Sequence, residues 1–154
     1  MYRIFHLSLL IILARIIAQE NLNYQQPPNE ILNLVDVKLP PRVLMDENKK
    51  YMVCIYRDAF KTIKELSEKE MRLAGLRINP KTNIGSRTNY YKDIKIANLR
   101  RKKTVLRRVR GLPTEPRLAN FIWSPDQTSI AFTNTTFHGV ELWVLNVSGG
   151  VVKK

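Results

Sequence analysis

One cysteine, two histidines and six glycines are all that 154 residues contain of three residue types on which many sites are built. A lone Cys54 excludes an internal disulfide framework. It sits in the strand-like run YMVCIY and reads as a buried thiol, because a nucleophilic thiol needs an adjacent base and only His6 and His138 could serve. The glycines form no phosphate-cradling loop and no Gly-x-Ser-x-Gly nucleophile elbow. Ser86 follows Gly85, but the second glycine is missing from Gly85-Ser86-Arg87-Thr88. No catalytic residue, no metal ligand and no cofactor is therefore expected. No apolar run reaches the roughly 20 residues that span a bilayer. Acidic residues are also scarce, 13 against 26 basic ones, for a formal net charge of +13.

Such a charge fits a nucleic-acid or acidic-surface partner. It is unevenly spread, however. Seven basic residues fall in the stretch RRKKTVLRRVR, Arg100 to Arg110. Alternation with Val105, Leu106 and Val109 fits a strand over Thr104 to Val109 in a charged hairpin at a sheet edge, where Lys and Arg guard against further pairing. That reading, with no nucleic-acid partner, is the expectation.

The first residues read as an export signal. Arg3 precedes the apolar run IFHLSLLIILA, followed by small and polar residues with Ala18 at a possible cleavage position. Residues 1–18 are assigned to a signal helix, giving an exported chain, periplasmic or secreted, with no membrane attachment after cleavage. A polar, proline-containing lead-in occupies residues 19–40.

The remainder reads as short strands. In FIWSPDQTSIAF, Phe121, Ile122 and Trp123 are β-formers. Pro125 fixes φ and lacks an N–H, so it suits a turn, and Ser124 and Asp126 can hold that turn through side-chain hydrogen bonds. Ile130 to Phe132 resume a strand, and VELWVLNV follows as another, ended by Ser148-Gly149-Gly150. An earlier stretch, VLMDENKKYMVCIY, has the same plan: apolar residues, an acidic turn, then an apolar strand. The two lie roughly eighty residues apart, longer than the 40–50 residues of one propeller blade, so an insertion is expected near 60–90. Thr62 to Glu65 and Ser67 to Glu70 both fit the capping box, predicting a helix from about Ile63 to Ala74 closed by Gly75. Ile94 and Ile96 alternate with Lys95 and Ala97 as a strand.

The fold class expected is mainly β: an incomplete β-propeller of about two four-stranded antiparallel blades, with a short helical insertion. Residues 41–117 form the first blade and 118–154 a second, lacking its outer strand. Faces carrying Ile94, Ile96, Trp123 and Trp143 are expected to lack a neighbour on at least one side, since repeat units bury their apolar faces only against one another. Asn134-Thr135-Thr136 and Asn146-Val147-Ser148 match glycosylation acceptors.

The stretch WSPDQTSIAF, with Trp123, Ser124, Pro125 and Asp126 at its centre, resembles the blade signature Trp-Ser-Pro-Asp-Gly-x-x-(aliphatic)-Ala-Phe of propellers attached to prolyl oligopeptidase-type serine peptidases. Tol-Pal-type periplasmic propellers share it. MRLAGLRINPKTNIGSR, Met71 to Arg87, is more specific, and is similar to a segment of the glutamyl endopeptidase branch of that family. The lead-in, YQQPPNEILNLVDVKLPPRV, resembles the start of the same branch, where a proline-flanked helix precedes Pro-Arg-Val. The resemblance covers about residues 24 to 150. It departs where Met45-Asp46-Glu47-Asn48 replaces Ser-Pro-Asp-Gly, and where Gln127 takes the usual glycine's place.

The resemblance implies a non-catalytic propeller that gates peptide access to a C-terminal α/β-hydrolase domain, with peptides as substrates of the whole enzyme. Arg77 and Arg87, in the family-specific insertion, either face the substrate cavity and pair with an acidic side chain or tie the insertion to its blade. The alternative is a stand-alone exported binding module that recruits a partner through its basic face.

Overall fold

A computed structural model describes residues 25–154; the expected signal segment lies outside them. The chain divides into a unit ending at Asp36 and another from Val37 to Lys154. In the first, helix α1 (Asn29–Val35) follows Pro27-Pro28, and the Pro28 carbonyl accepts from the Ile31 and Leu32 amides. This is the proline-flanked helix of the lead-in. No described helix is long and apolar enough to cross a membrane.

The second unit is mainly β. Strands β1 (Arg42–Met45), β2 (Tyr51–Tyr56), β5 (Asp93–Asn98) and β6 (Arg107–Arg108) form one antiparallel sheet in that order. Strands β7 (Leu118–Trp123), β8 (Ser129–Thr135), β9 (Val140–Asn146) and β10 (Val151–Lys153) form a second with the same meander. The outer strand expected to be missing is therefore present, though only three residues long. Between β2 and β5 lies the insertion, with helix α2 (Ile63–Leu66) and a hairpin of β3 (Met71–Leu73) and β4 (Leu76–Ile78).

The two sheets repeat one turn in atomic detail. In the first, the Tyr51 amide donates to Asp46 Oδ1 at 2.6 Å, the Asp46 amide to the Tyr51 carbonyl and the Lys49 amide to the Asp46 carbonyl. In the second, the Ser129 amide donates to Ser124 Oγ at 3.0 Å, the Ser124 amide to the Ser129 carbonyl and the Gln127 amide to the Ser124 carbonyl. An aspartate and a serine thus do the same work, because either oxygen can accept an amide across a tight turn. Lys49 and Gln127 occupy matching left-handed positions, φ 50° and 57°. That conformation favours glycine, which explains why glycine is usual where Gln127 stands.

One core joins the sheets. Val53, Ile55, Ile94 and Ile96 from the first meet Leu118, Ile130, Phe132 and Leu145 from the second, all essentially buried. Ile94 and Ile96, expected on an unpartnered face, are among them. Alternation groups residues on a face but does not say which face is covered. Trp123 and Trp143 pack only part-buried at the core's margin. A bulge at Asn120 (φ 54°) shifts the β7 register between Ala119 and Ile122. Phe121 then stacks on Phe132, centroids 5.2 Å apart, and meets Tyr91 edge-on at 5.6 Å. The uncovered face is that of Ile122, Leu142 and Val144, with Ile122 68% and Leu142 65% exposed. Gly111 is obligatory at the join: with φ 84°, a Cβ there would sit 2.7 Å from the Val152 carbonyl oxygen.

Two further expectations change. The helix ends at Leu66, with Ser67 as its C-cap rather than the start of a second capping box, and Ala74-Gly75 form the tight turn of the β3–β4 hairpin. Ala74 and Gly75 both have positive φ, the geometry of a two-residue hairpin loop. The strand expected over Thr104 to Val109 shrinks to Arg107–Arg108. The Arg100 amide bonds Asn98 Oδ1, turning the chain off the sheet where β5 ends.

Candidate functional site

Because β2 and β5 run antiparallel side by side, the insertion (57–92) leaves one end of the first sheet, and the β1–β2 turn and β5–β6 loop leave the other. The insertion is the family-like segment, and three carboxylates organise it.

Glu65 belongs to helix α2. Its backbone amide donates to Thr62 Oγ1 at 3.2 Å, and its Oε2 accepts from the Thr62 amide at 3.0 Å, completing the expected capping box. Its Oε1 accepts from Lys92 Nζ at 3.0 Å. Burial pushes this carboxyl up, but the Thr62 and Lys92 bonds outweigh it, leaving Glu65 below the usual carboxylate range. Glu70 accepts from Ser86 Oγ at 2.9 Å, from Arg72 Nε at 3.0 Å and from Arg77 Nη1 at 3.0 Å. The Ser86 bond is the largest influence and, with the smaller contributions of Arg72 and Arg77, holds it low against desolvation. Glu68 accepts from both guanidinium ends of Arg117, at 2.9 and 3.3 Å, and from Asn79 Nδ2 at 2.9 Å. Arg117 also lies over the Tyr90 ring, 4.5 Å from its centroid.

The two arginines singled out from sequence are placed differently. Arg77 is half-buried and bound to Glu70. Arg87 is exposed and lines an open cleft of about 470 Å³ whose wall sets Lys61, Arg72 and Arg87 beside Glu65, Glu68 and Glu70. Among the described residues Arg87 has no carboxylate partner. The structure brings Ser86 and Arg87 to the cleft wall and leaves Arg77 outside it. A neighbouring cleft of about 270 Å³, where the insertion meets the second sheet, is lined by Lys64, Lys81, Thr82, Arg117 and Phe137. Thr82 Oγ1 and Arg117 Nε are buried with no hydrogen-bond partner, and Lys81 Nζ lies 3.7 Å from the Phe137 centroid. The three glutamates lining these clefts, Glu65, Glu68 and Glu70, are engaged internally, whereas Lys61, Lys64 and Arg87 make no ion pair among the described residues. Such a surface suits carboxylate-bearing ligands.

Trp123, Ser124, Pro125 and Asp126 lie at the opposite end, where β7 turns into β8. Asp126 accepts from the Ser124 hydroxyl and, at 2.8 Å, from the Thr128 hydroxyl, which hold it below its ordinary range. Ser86 Oγ is spent on Glu70, while the His138 ring packs edge-on against Phe137 in the β8–β9 turn. Burial pushes the Cys54 thiol up, partly offset by Lys95, the opposite of what activates a thiol. Among the described residues no cluster of His, Cys, Asp or Glu is arranged for a metal. Asn134, read as a glycosylation acceptor, is 2% exposed and bonded to the Arg117 amide, so its side chain is not accessible.

Sequence reasoning missed Glu68, Glu70 and Arg117. The acids of SEKE were read as a helix cap, and nothing local marks Arg117 as the partner of a residue 49 positions away.

Two curated proteins, both named probable chloroplastic glutamyl endopeptidase, are similar to this chain. The one from Oryza sativa subsp. japonica is 28% identical over 137 residues, covering 84% of this chain and 15% of its own length. The one from Arabidopsis thaliana is 27% identical over 137 residues, covering 84% and 14%. The chain therefore spans about one seventh of the curated relatives it matches. No family model and no solved structure matches. At the coarse level the chain is peptidase-related.

Proposed function

We propose that the chain is a non-catalytic β portion of a glutamyl endopeptidase-like serine peptidase. Its two sheets are consecutive blades of a propeller, and its insertion borders the route by which peptides reach a hydrolase domain. The observation that carries this reading is the repeated unit: two four-stranded meanders whose Asp46 and Ser124 turns share one hydrogen-bond pattern, packed on one core. A blade buries one face on each neighbour. The second sheet still offers an apolar far face of Ile122, Leu142 and Val144, as a blade awaiting the next one does. On the wall of the 470 Å³ cleft, Lys61 and Arg87, which make no ion pair among the described residues, add two cations fitted to acidic peptide groups.

Two experiments test this. In the first, the chain replaces the matching segment of the rice relative. A folded chimera that hydrolyses peptide, beside a deletion that does not, supports a supporting-blade role; a folded but inert chimera sinks it. In the second, the purified chain is treated with a serine-directed phosphonate probe. No labelling is expected, and labelling of Ser86 or another serine above background would overturn the non-catalytic assignment.

A further inference from the structure

The end of the first sheet opposite the insertion carries most of the free positive charge of that sheet. From the β5–β6 loop come Arg100, Arg101, Lys102 and Lys103, all exposed. The fold adds Lys49 and Lys50, remote in sequence, from the β1–β2 turn. The Leu99 amide donates to the Lys50 carbonyl at 2.8 Å, fixing that turn beside the start of the loop. Among the described residues none of these six cations is ion-paired. Of the acids in the turn, Asp46 is buried against the Tyr51 amide, leaving Glu47 as the exposed one. In the same loop Val105 and Leu106 are 53% and 42% exposed.

Cations beside exposed aliphatics have a specific physical use. Lys and Arg are drawn to the negative potential of an anionic bilayer, each strengthening binding about five-fold. Aliphatic side chains gain by entering the headgroup–acyl boundary. A nucleic acid would use the cations but not the aliphatics, and residues 99–110 contain no aromatic on which a base could stack. Tyr51, the nearest ring in the turn, already has Lys50 Nζ 5.2 Å from its centroid.

We propose that this end of the first sheet docks on an anionic bilayer surface, with Lys49, Lys50 and Arg100 to Lys103 against the headgroups and Val105 and Leu106 at the acyl boundary. The insertion and its clefts leave the opposite end of the sheet, so docking keeps them accessible. From sequence alone the basic run reads as a solvated edge. The recruited Lys49 and Lys50, and the aliphatics off the sheet, change that reading. The proposal does not depend on the peptidase assignment and stands or falls separately.

The test is co-sedimentation of the full chain with vesicles of phosphatidylserine and phosphatidylcholine, against phosphatidylcholine alone. Binding to the anionic vesicles only, weakening steeply with added salt, is expected. Arg101→Glu with Lys102→Glu should lower the partition coefficient about thirty-fold or more. The same charge change at Lys38→Glu with Lys69→Glu should lower it far less. Leu106→Gln, which leaves the charge unchanged, should weaken binding several-fold, with circular dichroism showing each variant folded. Equal binding to neutral vesicles, equal loss in both charge variants, no loss in Leu106→Gln, or tighter binding to a single-stranded oligonucleotide than to anionic vesicles would overturn the proposal.

Discussion

Arg117 Nη1 lies 2.9 Å from Glu68 Oε1, and this pair joins the insertion to the residue that leads into the first strand of the second sheet, across 49 positions of sequence. Both side chains are largely withdrawn from solvent, 22% and 31% exposed. A second bond from Arg117 Nη2 and the Tyr90 ring beneath it hold the guanidinium in one orientation.

Glu68→Ala should therefore destabilise the chain by about 1–3 kcal/mol, because it strands a half-buried guanidinium. Arg117→Lys should recover only part of Arg117→Ala, since an ammonium cannot make the paired bonds or lie flat on Tyr90. Urea unfolding gives the magnitude, and hydrogen exchange gives the location. Residues 57–92 should lose protection first in Glu68→Ala; uniform loss would mean that the pair does not specifically anchor the insertion.

Phe132→Ala should cost about 3–5 kcal/mol, the range for deleting a fully buried aromatic. Phe132 is 0% exposed and stacks on Phe121 at the junction of the sheets. Leu142→Lys and Ile122→Lys, on the uncovered face, should change thermal stability little but reduce self-association. The exposed stripe of Ile122, Val140, Leu142 and Val144 is the kind of apolar surface that drives association, so the unmodified chain should run larger than a monomer and bind a hydrophobic dye. Size-exclusion chromatography with light scattering decides. A compact monomer with one sharp melt would mean that the stripe needs no cover and that the blade reading of the second sheet fails.

Acid should loosen the insertion. Glu70 is held low chiefly by the Ser86 hydroxyl, and Glu65 by the Thr62 amide and Lys92 against its own burial. Each is lower in the folded chain than the ordinary 4.5 of an unfolded glutamate. The folded state therefore binds fewer protons, and the stability these groups contribute is fully present above pH 4.5 and lost as pH falls through the folded values. Melting temperature should be flat from pH 7 to about 5 and decline below 4.5. Ser86→Ala should flatten that acid limb by weakening the hold on Glu70; an unchanged limb would show that the Ser86 bond does not tune Glu70.

Residues 1–18 are proposed to direct export and to be removed, on the strength of Arg3 and the apolar run from Ile4 to Ala14. N-terminal sequencing of the exported product should begin near Gln19 or Glu20. A cytoplasmic product still starting at Met1 would remove the export proposal without touching the fold.

Local chemistry determined a good deal by itself. The turn at Ser124 to Gln127, the strands on either side of it, the earlier copy at Asp46 to Lys49 and the Thr62–Glu65 cap all depend on residues a few positions apart, whose hydrogen bonds and backbone limits are readable in order. Tertiary structure decided the rest. Period-two alternation puts Ile94 with Ile96, and Leu142 with Val144, but only the packing of one sheet on the other buries the first pair and exposes the second. The stretch from Ser67 to Ile78 carries helix-cap residues, yet it folds as a C-cap and a hairpin, with Glu68 and Glu70 held by Arg117 and by Arg72, Arg77 and Ser86. Likewise, antiparallel pairing of β2 with β5 sets Lys50 beside Leu99 and so gathers the basic end of the sheet. Contacts between residues tens of positions apart leave no local periodicity to read, because their free energy is realised only once the intervening chain has folded around them.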